Sequence, residues 1–313
     1  RRQRQMCIRD SYNLIIRLQE VFLCFSDIMA NIWSVIIFEE IQMKKRITIF
    51  SMIVVFVGIG LGYYFGIVKP HQEAVDNFNS AYKPIKEKNK SLDKIIQDAE
   101  KSLKTNELPL DNSTKANLDN VLKQSQNDMV IVPKIPTKTS DINKSIKDLP
   151  KTVDYSDNQK ELKLALSNFK ESINKNKLVT NPSSDFVIKK LKSIPTITGV
   201  EAVTESNDPN GSLNKPGGYT SAIYFTDSEV QDQIDGSDII AKGTDAGGQI
   251  EVYKSPEEAQ KRNTYLSAFD GAGLFNSGSH EVCGTCVIRT SSKLTATQQK
   301  ELTKKIVDSL TQL

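Results

Sequence analysis

The longest apolar segment of the chain lies at 47–68, where the only polar side chains are Thr48, Ser51, Tyr63 and Tyr64. At 1.5 Å per residue, these 22 residues would form about 33 Å of helix, which matches a bilayer core of roughly 30 Å. The segment therefore predicts a single transmembrane helix, and the lipid bilayer is the first expected partner.

Basic side chains flank this segment unequally. Lys44, Lys45 and Arg46 precede it, and a single lysine, Lys69, follows it closely. This asymmetry predicts a cytoplasmic N-terminus and an extracellular C-terminus. A cleaved signal peptide would have a shorter apolar core of about 7 to 15 residues, followed by small residues. We therefore interpret 43–70 as a cytoplasmic basic start followed by an uncleaved signal anchor.

Three glycines of the apolar segment, Gly58, Gly62 and Gly66, recur every four residues. In a helix this spacing leaves a stripe without side chains, along which a second helix can approach closely. The stripe predicts a homodimer formed through the transmembrane helix. The alternative is that glycine is simply common in membrane-spanning helices.

The first ten residues resemble the in-frame translation of a transposon-end sequencing adapter. The match covers every position of Arg-Arg-Gln-Arg-Gln-Met-Cys-Ile-Arg-Asp. The alternative is a basic patch that binds nucleic acid or lipid headgroups. Glu39 and Glu40, whose codons can form a ribosome-binding purine run, stand just before Met43. We expect translation to begin at Met43, and 1–42 to be a non-native or untranslated read-through segment.

Between 71 and 180, apolar residues recur at helical spacing among many lysines, asparagines and aspartates. Pro84 is expected to kink or separate the first two amphipathic runs. Another helix is predicted at 112–126, and a later one begins at the capping box formed by Ser156 and Gln159. We interpret 71–180 as an extracellular helical stalk, a loose bundle of three helices.

Glycine use changes abruptly near position 199. No glycine occurs at 67–198, whereas twelve occur at 199–284. The segment 181–313 predicts the order α, β, β, β, α, β, α, with helices starting near 183, 255 and 295 and strands at 199–204, 219–225, 249–253 and 281–290. The fold class is therefore α+β, and 181–313 is expected to be an extracellular α+β sandwich with a mainly antiparallel sheet.

Four short segments give the C-terminal half a familiar appearance: Asn-Lys-Pro-Gly-Gly-Tyr at 214–219, Lys-Gly-Thr-Asp-Ala-Gly-Gly at 242–248, Arg-Asn-Thr-Tyr-Leu at 262–266 and Ser-Gly-Ser-His at 277–280. With them, the stretch 199–290 resembles the ectodomains of small, uncharacterised membrane-anchored proteins of low-GC Gram-positive bacteria. The resemblance implies a cell-envelope location and supports the expected fold. It implies no activity and no site residue.

The net charge of +3 is unevenly distributed. Residues 1–69 carry 9 Lys and Arg against 5 Asp and Glu, whereas the remaining residues carry 32 against 33. The exported part therefore lacks the positive field that attracts nucleic acid, and we do not expect nucleic acid as a partner.

Cys283 and Cys286 form a Cys-x-x-Cys motif inside the predicted strand 281–290. In a regular strand, residues three apart point to opposite faces and lie about 10 Å apart, too far for a disulfide unless Gly284 forms a bulge. We interpret the pair as buried free thiols; a disulfide, or a metal or redox site, are the alternatives. His280 would supply a third zinc ligand, but a structural zinc site needs four.

Other chemistry has weaker sequence support. Ser277, Ser279 and Asp270 lie near His280, but no Gly-x-Ser-x-Gly elbow exists and no orienting group for the imidazole is evident. The glycine-rich loops lack the Gly-Lys-Ser/Thr triplet of a phosphate-binding loop. The acidic segments 207–211 and 227–238 lack the ligand spacing of an EF-hand. We therefore expect no catalytic residue, no cofactor and no metal, with Cys283, Cys286 and His280 as the remaining metal candidates.

Two functional hypotheses follow. The first is a non-enzymatic cell-envelope protein whose stalk presents an α+β module to a wall polymer, a surface protein or a small ligand. The second is a membrane-tethered thiol/disulfide or metal-binding protein that uses the Cys-x-x-Cys motif.

Overall fold

The computed structural model describes residues 26, 28, 29, 43–270 and 278–313, with the backbone alone at 43–48. The expected read-through segment 1–42, apart from residues 26, 28 and 29, lies outside the described residues. The described backbone divides into two compact units. The first ends at Asn79 and adds Ile135–Asp148, and the second comprises Ser80–Lys134 and Leu149–Leu313.

The first unit is built on one continuous helical run. Helix α1 (Met43–Tyr63) passes through a π-helical turn (Tyr64–Val68) directly into helix α2 (Lys69–Leu103). The apolar side chains of α1 from Ile49 onward are largely exposed, and Phe56, for example, has 66% of its surface accessible. One described helix is thus long and apolar enough to span a membrane, by length and composition.

Pro84 does not separate two helices, because α2 runs through it without interruption. Proline cannot donate to the carbonyl of Ser80, one turn earlier. Its ring lies on the exposed side of the helix, while Tyr82 and Ile85 beside it are buried. The buried neighbours hold both turns in place and offset the missing hydrogen bond. The expected separation was therefore wrong.

Helix α4 (Thr139–Lys147) belongs to the first unit and was not predicted from the sequence. The His71 Nδ1 atom lies 3.1 Å from the Thr139 Oγ1 atom and so joins α4 to the first turn of α2. Ile142 of α4 is completely buried. With nine residues, α4 presents too few apolar positions to show a helical period in the sequence.

The helical part of the second unit comprises the remainder of α2 with α3 (Asn112–Asp128) and α5 (Ser156–Leu178), and α3 packs on α5. One hydroxyl joins all three: Val130, just after α3, donates to the Tyr155 hydroxyl at 2.8 Å, which donates to Asn89 Oδ1 at 2.9 Å. Asn89 in turn donates to the Val130 carbonyl at 2.7 Å. This ring of hydrogen bonds fixes the ends of three segments at one point.

The N-terminus of α5 is not capped as predicted. Ser156 is the first helical residue, and Tyr155 occupies the N-cap position without a side-chain cap. The Asp154 carboxylate instead accepts from the Ser156 backbone N–H at 3.1 Å. Gln159 instead donates its side chain to the Ser91 hydroxyl on α2 at 3.2 Å, and no side chain caps this N-terminus through a capping box. The predicted cap was therefore wrong, although the helix starts at the expected residue.

The C-terminal region of the second unit is an antiparallel sheet with helices packed on both faces. Its helices are α6 (Ser184–Leu191), α7 (Pro256–Ser267) and α8 (Ala296–Leu310), and its strands are β1 (Ile197–Ala202), β2 (Ser221–Asp227), β3 (Gly247–Val252), β4 (His280–Cys283) and β5 (Cys286–Thr290). Among the described residues, these strands form one five-stranded antiparallel sheet in the order β1-β2-β3-β5-β4. The predicted α+β class with an antiparallel sheet is confirmed.

The two faces of the sheet carry different cores. Helices α6 and α8 cover an apolar face whose centre includes Phe225, Ile250 and Ile288. Helix α7 covers the opposite face with Ala259 and Leu266. Val179, at the end of α5, belongs to the first core, and Leu110, which precedes α3, packs against it. Residues on both sides of position 180 thus share one core, and the domain boundaries derived from the sequence stay predictions.

Candidate functional site

A row of polar residues crosses the whole sheet on the face that α7 covers. Each residue is the direct cross-strand partner of the next, in the order Glu201, Tyr224, Gln249, Arg289 and His280. Directly opposed residues in an antiparallel sheet share a face, so the five side chains lie in one line. Their neighbours along the strands, such as Ile250 and Ile288, point into the apolar core on the other face.

A fully buried carboxylate, that of Glu251, lies beside this row. Arg262 of α7 donates to it twice, from Nε to Oε2 and from Nη2 to Oε1, each at 2.8 Å. The Tyr253 hydroxyl donates to Oε2 at 2.8 Å, and Arg289 Nη1 lies 3.4 Å from Oε1. A buried carboxylate is tolerated only when it is paired and hydrogen-bonded in this way. The cluster therefore ties α7 to strands β3 and β5.

Two donors in the same region remain without a partner. Arg289 Nη1 donates to Gln249 Oε1 at 3.1 Å, but Gln249 Nε2 and Arg289 Nε are buried and have no hydrogen-bond partner in the part of the chain that the structure describes. Two guanidinium groups also face a single carboxylate here. Each of these free N–H groups could donate a hydrogen bond to an acceptor such as a water molecule or an anionic oxygen.

His280 ends the polar row, and two side chains orient its ring. Its Nδ1 atom lies 2.7 Å from Asn263 Oδ1, and its Nε2 atom lies 3.1 Å from Asp270 Oδ1. The expectation that nothing orients this imidazole was wrong, because Asn263 lies on α7 and reaches the ring only in the folded sheet. Within the described residues, no hydroxyl is hydrogen-bonded to the ring. Ser277 lies outside the described residues.

The ionisable groups of this face are shifted in the directions that burial and pairing dictate. Burial, together with the neighbouring Glu251, raises the pKa of Tyr253, and burial chiefly raises the pKa of Tyr224. Burial alone would lower the pKa of Arg262, but its hydrogen bonds and charge pairing with Glu251 raise it. The tyrosines are thus held neutral and the arginine charged, which suits a fixed network rather than proton transfer.

Asp208 explains the acidic loop that follows β1. Its carboxylate accepts from the backbone N–H groups of Asn210, Ser212 and Leu213, and from the Tyr219 hydroxyl. Burial would raise the pKa of Asp208, but these four donors lower it. A carboxylate that accepts four hydrogen bonds holds the loop together, so the sequence around 207–211 has a structural explanation.

The Cys-x-x-Cys motif is a tight hairpin and not part of one strand. The predicted strand 281–290 divides into β4 and β5, and Cys283 and Cys286 are direct cross-strand partners. Gly284 has a φ angle of +62°, which lets the chain reverse over two residues. Our expectation that the two thiols point to opposite faces was wrong, since both belong to the apolar core.

The sheet separates the three metal candidates. Cys283 and Cys286 point into the core beneath α6 and α8, whereas His280 points to the face beneath α7. Burial raises the pKa of the Cys283 thiol to about 12 and also raises the pKa of Cys286. Among the described residues, no group of three potential metal ligands comes together.

The residues singled out in the apolar helix are placed as follows. Gly58 and Gly62 lie on α1 and Gly66 lies in the π-helical turn, and a Cβ atom at any of them would meet nothing within 4 Å. Lys44, Lys45 and Arg46 lie in the first turns of α1. The glycines thus border open space along the helix.

Neither models of protein families, nor curated proteins, nor solved structures give a match to this chain.

Sequence reasoning missed the cluster around Glu251. The available signal was the alternation of Gln249 and Glu251 with Ile250 and Val252, which is typical of a strand with one solvated face. What the alternation does not show is that α7 covers the polar face, with Arg262 placed over the carboxylate. That information lies in the packing of the helix and not in the strand.

Proposed function

We propose that this chain is a membrane-anchored, non-enzymatic cell-envelope protein that presents its α+β region outside the cell to bind a wall polymer, a surface protein or a small ligand. In this proposal, α1 is a single transmembrane signal anchor, the segment 71–180 is the stalk and 181–313 is the binding module. The resemblance of 199–290 to membrane-anchored ectodomains of low-GC Gram-positive bacteria supports the same location.

The observation that carries the proposal is the exposure of α1. Large apolar side chains lie exposed along α1 from Ile49 to Tyr63, and no described part of the protein covers them. In water, each such side chain would lose roughly 1.5–3 kcal/mol relative to an apolar environment. A lipid bilayer removes this cost, and the bare glycines at 58 and 62 would permit a homodimer within it.

A binding role is supported by the nature of the polar face. Glu251 is paired with Arg262, the Tyr253 hydroxyl is held neutral while it donates to that carboxylate, and no described hydroxyl or thiol is hydrogen-bonded to the His280 ring. The unpartnered donors Gln249 Nε2 and Arg289 Nε are buried, so they suit an internal water molecule rather than a ligand from solvent. These features suit recognition better than turnover.

The test is a topology experiment in a Gram-positive host with an epitope tag after Leu313. We expect the protein in the membrane fraction, resistant to carbonate and released by detergent, and we expect protease added to cell-wall-stripped cells to remove the tag. Recovery in the soluble fraction, or a tag protected from outside, would overturn the proposal.

A matched pair of variants makes the test specific to α1. Val55→Lys with Phe56→Lys places two charges in the middle of the apolar helix, where each costs about 2.5–3.5 kcal/mol for insertion. Leu108→Lys with Ile131→Lys changes two apolar residues that are already exposed elsewhere, at 62% and 88%. Only the first pair should reduce the membrane-bound fraction.

The second candidate function, a tethered thiol protein, is favoured by the cross-strand pairing of Cys283 with Cys286. It is opposed by the burial of both thiols, because reactive cysteines have lowered pKa values and accessible sulfur atoms. Replacing both cysteines with alanine separates the two functions. The binding proposal expects unchanged ligand binding with some loss of stability, whereas the thiol function expects activity to vanish while the fold remains.

A further inference from the structure

The positions of Cys283 and Cys286 are those of a pair that can be bridged. They face each other across the β4–β5 hairpin, immediately before and after its two-residue turn. Directly opposed residues in an antiparallel pair have Cα atoms about 4.5–5.5 Å apart, and disulfides span about 4.4–6.8 Å. A disulfide between the two sulfur atoms would therefore need no change in the pairing of β4 with β5.

Both side chains also lie on the same face of the hairpin. Cys283 is 4% exposed and Cys286 is completely buried, and both are part of the apolar core that includes Ile288. Apart from each other, these sulfur atoms are surrounded mainly by hydrocarbon. The Cys286 sulfur has one weak polar contact, to the Val179 carbonyl at 3.9 Å. Each thiol is therefore the natural reaction partner of the other.

The turn between the cysteines is fixed from outside the hairpin. Thr285, completely buried, donates its backbone N–H to the Val179 carbonyl at 2.9 Å, and its hydroxyl accepts from the Asn181 N–H at 2.7 Å. A Cβ atom at Gly284 would lie 2.4 Å from Val179 Cγ2, so the segment at 179 is packed directly on the turn. In the structure both cysteines are free thiols, as expected from the sequence, and the fold holds them opposite each other without a covalent bond.

We propose that Cys283 and Cys286 form a structural disulfide that closes the β4–β5 hairpin. This inference rests on the proposed extracellular location, because disulfides persist in oxidising compartments. The bridge is structural and not an exchange catalyst, since the sulfur atoms lie in the core under Val179, where an attacking thiolate has no access. It therefore replaces the tethered thiol function with a role in holding the sheet.

The oxidant is a second disulfide, such as oxidised glutathione or the disulfide of a thiol oxidase. One cysteine thiolate attacks this disulfide, so that an S–S bond breaks and a mixed disulfide forms with release of one thiol. The second cysteine thiolate then attacks the mixed disulfide and releases the other thiol. The two cysteine sulfurs lose two electrons and two protons, and both are recovered on the two released thiols.

The experiment is a redox titration of the full chain in detergent. The protein is unfolded in urea and refolded by dilution into graded mixtures of reduced and oxidised glutathione, starting both from the reduced and from the oxidised form, so that glutathione reaches the sulfur atoms before Val179 packs over them. It is then quenched in acid, alkylated and digested with trypsin. Both cysteines fall in the peptide 263–289, which excludes the other two cysteines, Cys7 and Cys24. A bridged peptide is two hydrogens lighter and takes no alkyl group.

We expect the folded chain to form the bridge at a glutathione ratio about tenfold or more reducing than the urea-unfolded chain, because folding holds the thiols together. Equal titration of the folded and unfolded chains, or a folded chain that stays reduced where the unfolded chain is oxidised, would overturn the proposal. The Cys286→Ala variant is the control and should never give the lighter peptide.

The outcome is independent of where the protein resides, because the titration uses purified protein. If the bridge forms in the titration while chains alkylated directly in cells are reduced, the pairing is supported and the extracellular location is contradicted. A bridged peptide from cells would support both.

Discussion

The Arg262 guanidinium donates two hydrogen bonds of 2.8 Å to the Glu251 carboxylate. A charge on helix α7 therefore neutralises a buried charge on the central strand β3. The Glu251 side chain is completely buried, whereas the Arg262 side chain is 22% exposed. Removing one member of a buried pair leaves the other charge unpaired, and this is costlier than the net value of the pair. The pair therefore makes a sharp test of the polar face.

We expect Glu251→Gln to destabilise the protein by about 3 kcal/mol, the lower end for a buried pair, because water reaches part of Arg262. The measurement is urea unfolding monitored by circular dichroism. Glu281→Gln is the matched control, since Glu281 lies exposed on the edge strand β4 of the same sheet. The control should change stability by less than about 0.5 kcal/mol. Equal effects would show that the pair is not a buried contact.

Gly284→Ala tests the packing on the hairpin turn. The left-handed backbone at φ +62° costs about 1 kcal/mol for alanine, and the collision with Val179 adds about 1–3 kcal/mol. Gly243→Ala separates these two effects, because Gly243 has a similar φ of +66° but nothing within 4 Å of its added Cβ. Unfolding experiments should show the larger loss at Gly284. Identical losses would mean that Val179 does not press on the turn.

Asp154→Ala should lower the melting temperature more than Ser156→Ala does. The Asp154 carboxylate caps α5 through the Ser156 N–H, and the same bond lowers the pKa of Asp154. The stabilisation is therefore present above the ordinary carboxyl pKa and is lost as the pH falls through the lowered value. The difference in melting temperature between the wild type and Asp154→Ala should therefore be present at pH 7 and disappear at acidic pH. A larger loss of stability in Ser156→Ala would show instead that Ser156 caps the helix, as the sequence predicts.

The thiols predict a pH dependence of the reduced protein. Burial raises the pKa of Cys283 to about 12, whereas an unfolded thiol ionises near 8.5. Because only the unfolded chain loses these protons, stability is full below about pH 8.5 and falls as the pH rises towards 12. By pH 9.5, the loss should be about 1 kcal/mol per thiol. Urea unfolding with a reductant measures it.

The disulfide form and the variant Cys283→Ala with Cys286→Ala should both lack this decline between pH 8 and 9.5, because neither carries a thiol at these positions. Tyrosines ionise near 10 when unfolded, so they add only a small decline below pH 9.5, and they add it equally to the reduced protein, the disulfide form and the variant. A decline that persists in the variant would show that another group is responsible.

The elements set by local chemistry were predictable from the sequence. Ser255 and Pro256 start α7, and the capping box of Thr295 and Gln298 starts α8, as the sequence indicates. These signals act within one helical turn, so they need no knowledge of the remaining chain. The apolar run of α1 is equally local, and its length and composition mark it as able to cross a membrane.

The missed features all depend on distant residues. The turn at Gly284 and Thr285 lacks a strong hairpin dipeptide, and the flanking valines favour one long strand. The turn is stabilised by the Val179 carbonyl at the end of α5, which accepts from the Thr285 backbone N–H. The partner of Glu251 lies on α7, and the groups that orient His280 become neighbours only after the helix has docked. Local pattern cannot report such pairings.

The contact between Thr285 and Val179 joins positions 106 apart in the sequence. Contacts across so long a loop form late, because the chain must lose a large conformational entropy before the bond stabilises it. The hairpin itself closes over a two-residue turn, so its cysteines meet early. The time between these two events is the interval in which an oxidant can reach the sulfur atoms. In the proposed bridge, the sulfur–sulfur bond therefore forms before Val179 docks, and the order of folding decides whether the two cysteines are oxidised.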